Sequence, residues 1–184
     1  MKHAAIIALS AAIFLSNGFH VEAKPEFRKE AVMEIKLTSS EFKDGEMIPI
    51  KYSGEGDDMS PPLEWSGLPA GTKSIAIVCD DPDAPYGNFV HWVIFNIPPS
   101  ANSMPEGAPA EETLANGSRQ GMTDFGKIGY GGPLPPRGVH RYFFTIYALD
   151  TMLELGSDAG KKDLLKEMEG HILAKGQLLG RYRR

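Results

Sequence analysis

The chain predicts an all-β fold, a sandwich of two antiparallel sheets with a C-terminal helix. Three observations carry that expectation. The 184 residues include 20 glycines and 14 prolines. That is more than a helical bundle tolerates, because proline removes an amide donor and glycine serves turns at positive φ. Strand-like apolar runs recur from Met33 to Leu149. Only one segment, late in the chain, carries apolar residues at helical spacing.

The elements follow in order. "VMEIKLTS" alternates Met33, Ile35 and Leu37 with polar neighbours and reads as a half-buried strand. "GEMIPIKYSGEG" supplies a short strand, and "DDMSPPLEWSGLPAGT" is a loop with one apolar-aromatic segment at Leu63 and Trp65. "KSIAIVC" reads as a central strand and "DDPDAPYGN" as a rigid loop. "FVHWVIFNI" is apolar at both parities, so both of its faces are expected to be covered. From Pro98 to Pro136 turn-formers dominate, and a stretch of that length is expected to work or to be pinned by short strands. "HRYFFTIYAL" returns to strand character. "KKDLLKEMEGHILAKG" then places Leu164, Leu165, Met168, His171 and Ile172 at helical spacing, with Gly176 as the expected stop. "QLLGRYRR" adds a last short strand.

Residues 1–23 differ in kind. "MKH" is followed by the uncharged run Ala4–Ser16 and then by "NGFHVEA", the pattern of a secretory leader cleaved after Ala23. The apolar run is short for a bilayer span. The expected mature domain is therefore 24–184, periplasmic or secreted, with no stable membrane anchor after cleavage. With 42% hydrophobic and 23% charged residues it has the composition of one globular domain. A formal charge of −5 argues against a nucleic-acid partner. The single cysteine, Cys79, cannot form an internal disulfide, and its apolar run predicts a buried, inert thiol.

Polar groups stand out at three places. Asp81 and Asp83 lie in a Pro-locked turn, where an aspartate either closes the turn or faces a pocket. His91 sits within an apolar strand, and parity places it with Phe89, Val93 and Phe95. A buried imidazole needs both ring nitrogens answered, and burial favours its neutral form. Finally, "YGGPLPPRGVHRY" sets His140 and Tyr142 on one face of a strand and Arg141 on the other, as a structural ion-pair partner. Gly131 and Gly132 permit close backbone approach, Pro135 and Pro136 hold the wall still, and the loop's amides beside neutral donors suit an anion.

"DPDAP" at 81–85, "HW" at 91–92 and "GYGGPLPPRGVHRY" at 129–142 resemble the phosphatidylethanolamine-binding protein family, closest to its bacterial branch of Raf-kinase-inhibitor-like proteins. "SPPLEWSGLP" and "MEGHILAKGQLLGRYRR" extend the resemblance over nearly all of 33–184. It implies a small anion pocket at one edge of the sandwich, walled by Asp81, His91, His140 and Tyr142. Backbone contacts are implied for the loop around Gly131, Gly132 and Pro133, and Ala84–Pro85 is the natural place for a cis bond. Leu134 stands where many bacterial relatives carry cysteine. The resemblance also implies homodimers, although no surface patch legible in the chain places the contact.

The partner expected from these residues is a small phosphorylated or anionic ligand, bound without catalysis and without a cofactor. A metal held by two histidines and an aspartate would need all three ligands within about 2 Å of one ion. Tyr142 and the amide-rich loop suit an oxyanion better. Two alternatives stay open. One is a weak hydrolase using the Asp–His elements, for which the chain has no G-x-S-x-G elbow and Ser118 is expected only to help a turn. The other is a protein-interaction role, as a kinase or protease inhibitor.

Overall fold

The computed structural model describes residues 33–184. The segment 1–23, read above as a leader, lies outside them. Two sheets form the sandwich. The large one is six-stranded, in the order β1 (Met33–Glu34), β9 (Ile172–Arg183), β8 (Val139–Leu149), β4 (Ser74–Asp81), β5 (Phe89–Ile97) and β7 (Arg119–Gln120). The small one is three-stranded, in the order β2 (Lys36–Thr38), β3 (Leu63–Ser66) and β6 (Ser103–Met104). The strands pair antiparallel except where β1 runs parallel to β9, and an isolated parallel bridge joins Met47 to Arg181.

Ile35 sits between β1 and β2 as the chain passes from one sheet to the other, and both it and Leu37 are buried. The main core fills the space between the sheets, where Leu37, Leu63 and Trp65 of the small sheet meet Ile75, Ile77, Trp92, Phe144 and Ile146 of the large one. A second cluster covers the other face of the large sheet. There Ala76, Val78, Val93 and Phe95 pack beneath Leu164 and Met168 of α1 (Lys161–Glu167) and its flank. Strands β4 and β5 are therefore buried on both faces, as their unbroken apolar runs require.

Several expectations are corrected. The segment after Met47 forms a 3-10 turn at Ile50–Tyr52 instead of a strand, with Pro49 fixing its entry. The helix is shorter than its spacing suggests. It ends at Glu167 with Met168 as its cap, and Gly170 at φ 81° turns the chain into β9. His171 consequently lies in the turn, and Gly176 is a strand residue, not a stop. A Cβ at Gly176 would collide with the Ile35 carbonyl, so glycine is needed there for close approach of the two chains. The last strand is correspondingly long, 12 residues. The Ala84–Pro85 bond is trans. Its turn closes instead through the Gly87 amide, which donates to the Ala84 carbonyl at 3.1 Å, with Gly87 at φ 110°.

Candidate functional site

At one end of the large sheet, three strands deliver polar side chains to a single notch of about 540 Å³. Asp81 ends β4, His91 lies near the start of β5, and His140 and Tyr142 open β8. All four are buried. The parity that grouped His91 with Val93 and Phe95 fails here, because β5 carries a bulge. Cys79 pairs with Trp92 and Asp80 with Val90, so His91 is the extra residue without a partner on β4. Val93 and Phe95 consequently face the helix, whereas His91 turns towards Tyr142, with ring centres 5.1 Å apart.

Each imidazole is anchored through the same nitrogen. His91 Nδ1 lies 2.6 Å from the Gly131 carbonyl, which can only accept, so Nδ1 carries the proton. The Gly131 amide donates back to the His91 carbonyl at 2.9 Å, clamping the loop to the bulge. His140 Nδ1 donates to Asp81 Oδ2 at 2.7 Å, and Asp81 Oδ1 accepts the Asp83 amide at 2.8 Å. Asp81 thus closes its own turn and also faces the notch, where it orients a ring. In both rings Nε2 is the nitrogen left to meet a ligand. Burial pulls the His91 pKa below the ordinary histidine value, so its neutral form dominates. Tyr142 is pushed the other way, first by burial and then by the Asp81 carboxylate, which keeps its hydroxyl protonated and able to donate.

The loop expected to present free amides does something else. Gly131 donates to His91, Gly132 donates to Asp58 Oδ1 at 2.5 Å, and Pro133 has no amide while its carbonyl accepts from Gly54 at 3.0 Å. The loop's hydrogen bonds sew it to His91 and to the segment around Gly54 and Asp58. Its glycines are steric necessities, since a Cβ at Gly131 would strike the Phe125 ring and one at Gly132 the backbone of Tyr52 and Ser53. Leu134, Pro135 and Pro136 form the wall that the notch actually meets.

Phe89, which keeps the face expected of it beside His91, is joined in the notch by Asp124 and Phe125, which the sequence did not single out. Phe89 and Phe125 meet edge to face at 4.8 Å, and both enclose His91 at 5.2 Å. Asp124, itself exposed, lines the notch at its rim, with its Oδ2 accepting the Val90 amide at 2.7 Å. Phe125 stands in a turn-rich stretch where no period marks it. Tyr86, Phe125 and Leu134 remain exposed at the mouth. Among the described residues, no lysine or arginine lines the notch. Among the described residues, no three His, Cys, Asp or Glu side chains form a metal-holding group. Cys79 is buried outside the notch, with burial raising its pKa. Ser118 is buried without a hydrogen-bond partner for its hydroxyl among the described residues, and Asn116 makes the turn there by accepting the Ser118 amide at 3.0 Å.

Comparison with known proteins agrees with this architecture. The family model described as phosphatidylethanolamine-binding protein matches residues 38–183. The chain belongs to that family. A UPF0098 protein of Methanothermobacter thermautotrophicus is 51% identical over 150 residues, spanning 82% of this chain and 99% of that protein. Two crystal structures of family members superpose with a TM-score of 0.76. The first is a phosphatidylethanolamine-binding protein homologue, CT736 of Chlamydia trachomatis, 38% identical and covering 82% of this chain and 98% of its own. The second is YbcL of Escherichia coli, described as a new member of the mammalian family, 34% identical over 82% of this chain and 99% of its own. Among the described residues no helix is long and apolar enough to cross a membrane.

Proposed function

We propose that the protein binds a small ligand bearing a phosphate-like oxyanion head in the Asp81–His91–His140–Tyr142 notch and releases it unchanged. The observation that carries this reading is the shared anchoring of the two imidazoles by Nδ1, which leaves two Nε2 atoms and one phenolic hydroxyl for a single guest. A neutral ring accepts at Nε2 and a protonated ring donates. With Asp81 and Asp124 nearby and no cationic side chain among the described lining residues, a fully ionised phosphate meets repulsion. The preferred head is therefore a partly protonated one, whose P–OH donates to an imidazole while its anionic oxygen accepts from Tyr142. The exposed apolar rim at Phe125 and Leu134 suits an ester substituent projecting from the head.

Titration calorimetry with inorganic phosphate and butyl phosphate at pH 6 and pH 8 tests this. The reading predicts tighter binding at pH 6, and a loss of at least about tenfold for His140→Ala, as expected for a charge-assisted contact. Binding that is stronger at pH 8, or indifferent to His140 and Tyr142, overturns it.

One observation favours a second reading. An imidazole oriented by a buried carboxylate is also the geometry of a general base. Turnover of an ester or phosphoester panel that disappears in His140→Ala would make the protein a hydrolase acting through water, since the described lining of the notch holds no serine, threonine, cysteine or lysine. The family's protein-interaction role remains the third reading, without a surface here that selects it. The N-terminal leader reading places the binder in the cell envelope, and a periplasmic fraction containing protein that begins at Lys24 checks it.

A further inference from the structure

Beside the notch, over a ridge formed by Pro85, Pro136 and His140, lies an open groove whose lining also includes Arg137, Arg141 and Arg181. It occupies the outer face at the end of β8 and β9. Register sets Arg141 directly opposite Arg181, and like charges facing each other across strands are destabilising. Only one of the two is balanced. Asp83 accepts from Arg141 Nε at 2.9 Å, from Nη2 at 2.7 Å and from the Arg141 amide at 3.0 Å. The guanidinium also lies over the Phe143 ring, 5.7 Å from its centre. Arg141 is thereby fixed in place with N–H groups to spare. Among the described residues, Arg137 and Arg181 have no carboxylate within ion-pair distance. In a chain of net charge −5, this is a local surplus of positive charge at the edge of a notch whose described lining holds no lysine or arginine.

We propose that this groove is a second anion subsite, and that the ligand is elongated, with its hydrogen-bonding head in the notch and a further anionic group on Arg137, Arg141 and Arg181. The division of labour follows from the two linings. The notch discriminates against a fully ionised group, whereas guanidinium forks are suited to one. An anion there also relieves the Arg141–Arg181 repulsion. The ligand class is a phosphate ester with a second phosphate, sulfate or carboxylate several bonds away, long enough to pass the proline ridge. This inference rests on the notch reading, and its test separates the two.

Calorimetry on the full domain with butyl phosphate and a series of α,ω-alkanediol bisphosphates of increasing length provides that test. The expected result is an optimum at one chain length, where the bisphosphate binds at least about tenfold tighter than butyl phosphate, as linked sites predict. Arg181→Ala removes most of that gain and Arg181→Glu all of it, while butyl phosphate binding stays within about twofold in both. Both variants alter an exposed side chain, and their unfolding midpoints report any loss of fold directly. A bisphosphate advantage that is flat with length, or that survives Arg181→Glu, overturns the groove. Failure of butyl phosphate to respond to His140→Ala overturns the notch reading instead, whatever the arginines do.

Discussion

Two aspartate–histidine pairs in this molecule have the same contact and different surroundings. Asp81 and His140 meet at 2.7 Å with side chains 4% and 9% exposed. Asp150 and His171 also meet at 2.7 Å, but with side chains 46% and 47% exposed. Distance alone would rank them equal. The first pair bridges β4 and β8 in the wall of the notch with little solvent exposure, where an unpaired group keeps much of its desolvation penalty. The second joins the end of β8 to the turn before β9, where solvent replaces either partner freely. The contrast teaches that a polar contact here becomes part of a site through what surrounds it: Asp81 and His140 share the lining of the notch with Phe89, Phe125, Tyr142 and the proline wall.

The largest effect is expected at the buried pair. Asp81→Ala strands the His140 Nδ1–H and the Asp83 amide together, and should cost about 3 kcal/mol in urea unfolding. Asp81→Asn, which keeps the size and one acceptor, should recover part of that loss. An effect below about 0.5 kcal/mol for Asp81→Ala would mean that water reaches the pair and would erase the contrast with Asp150.

A pH effect comes next, and it belongs to the neighbouring ring. The folded state holds the His91 pKa below its unfolded value, which is near 6.5. The unfolded chain then takes up a proton that the native chain refuses. The stability this ring contributes is full above about pH 6.5 and is lost as pH falls from there through the folded pKa. His91→Gln should flatten that acid-side decline in melting temperature relative to the parent. An unchanged slope would place the responsible group elsewhere.

The smallest effect is predicted at the exposed pair. Asp150→Ala should shift stability by under about 1 kcal/mol, with the difference shrinking further in added salt. It should leave phosphate binding unaltered. A loss comparable to that of Asp81→Ala would contradict the ranking by burial.

Much of the architecture was legible in the chain. Strands β4, β5 and β8 announce themselves by continuous apolar character, and the motifs at 81–85, 91–92 and 129–142 point to the family and to the four polar residues that the structure gathers. Where reading failed, the missing information was non-local. The bulge that reorients His91 is a property of its register against β4, which one strand's periodicity cannot express. The helix was overextended because Met168, His171 and Ile172 keep a helical period, although Gly170 breaks it and Ile172 belongs to β9. Gly176 resembled a stop because its real constraint, the Ile35 carbonyl, lies far away in sequence. The amides of Gly131 and Gly132 looked free for an anion because their acceptors, His91 and Asp58, are supplied by other segments. Phe125 carried no signal at all, since an aromatic in a turn declares its role only when its neighbours are known.

The central claim is that His91 and His140 turn Nε2 towards one shared guest. Nitrogen-15 NMR of the histidine rings during titration with inorganic phosphate at pH 6 addresses it directly. The account predicts that the Nε2 resonances of His91 and His140 shift together along one saturating curve while His171 stays still. Movement of only one of the two, or of His171 alongside them, would contradict it.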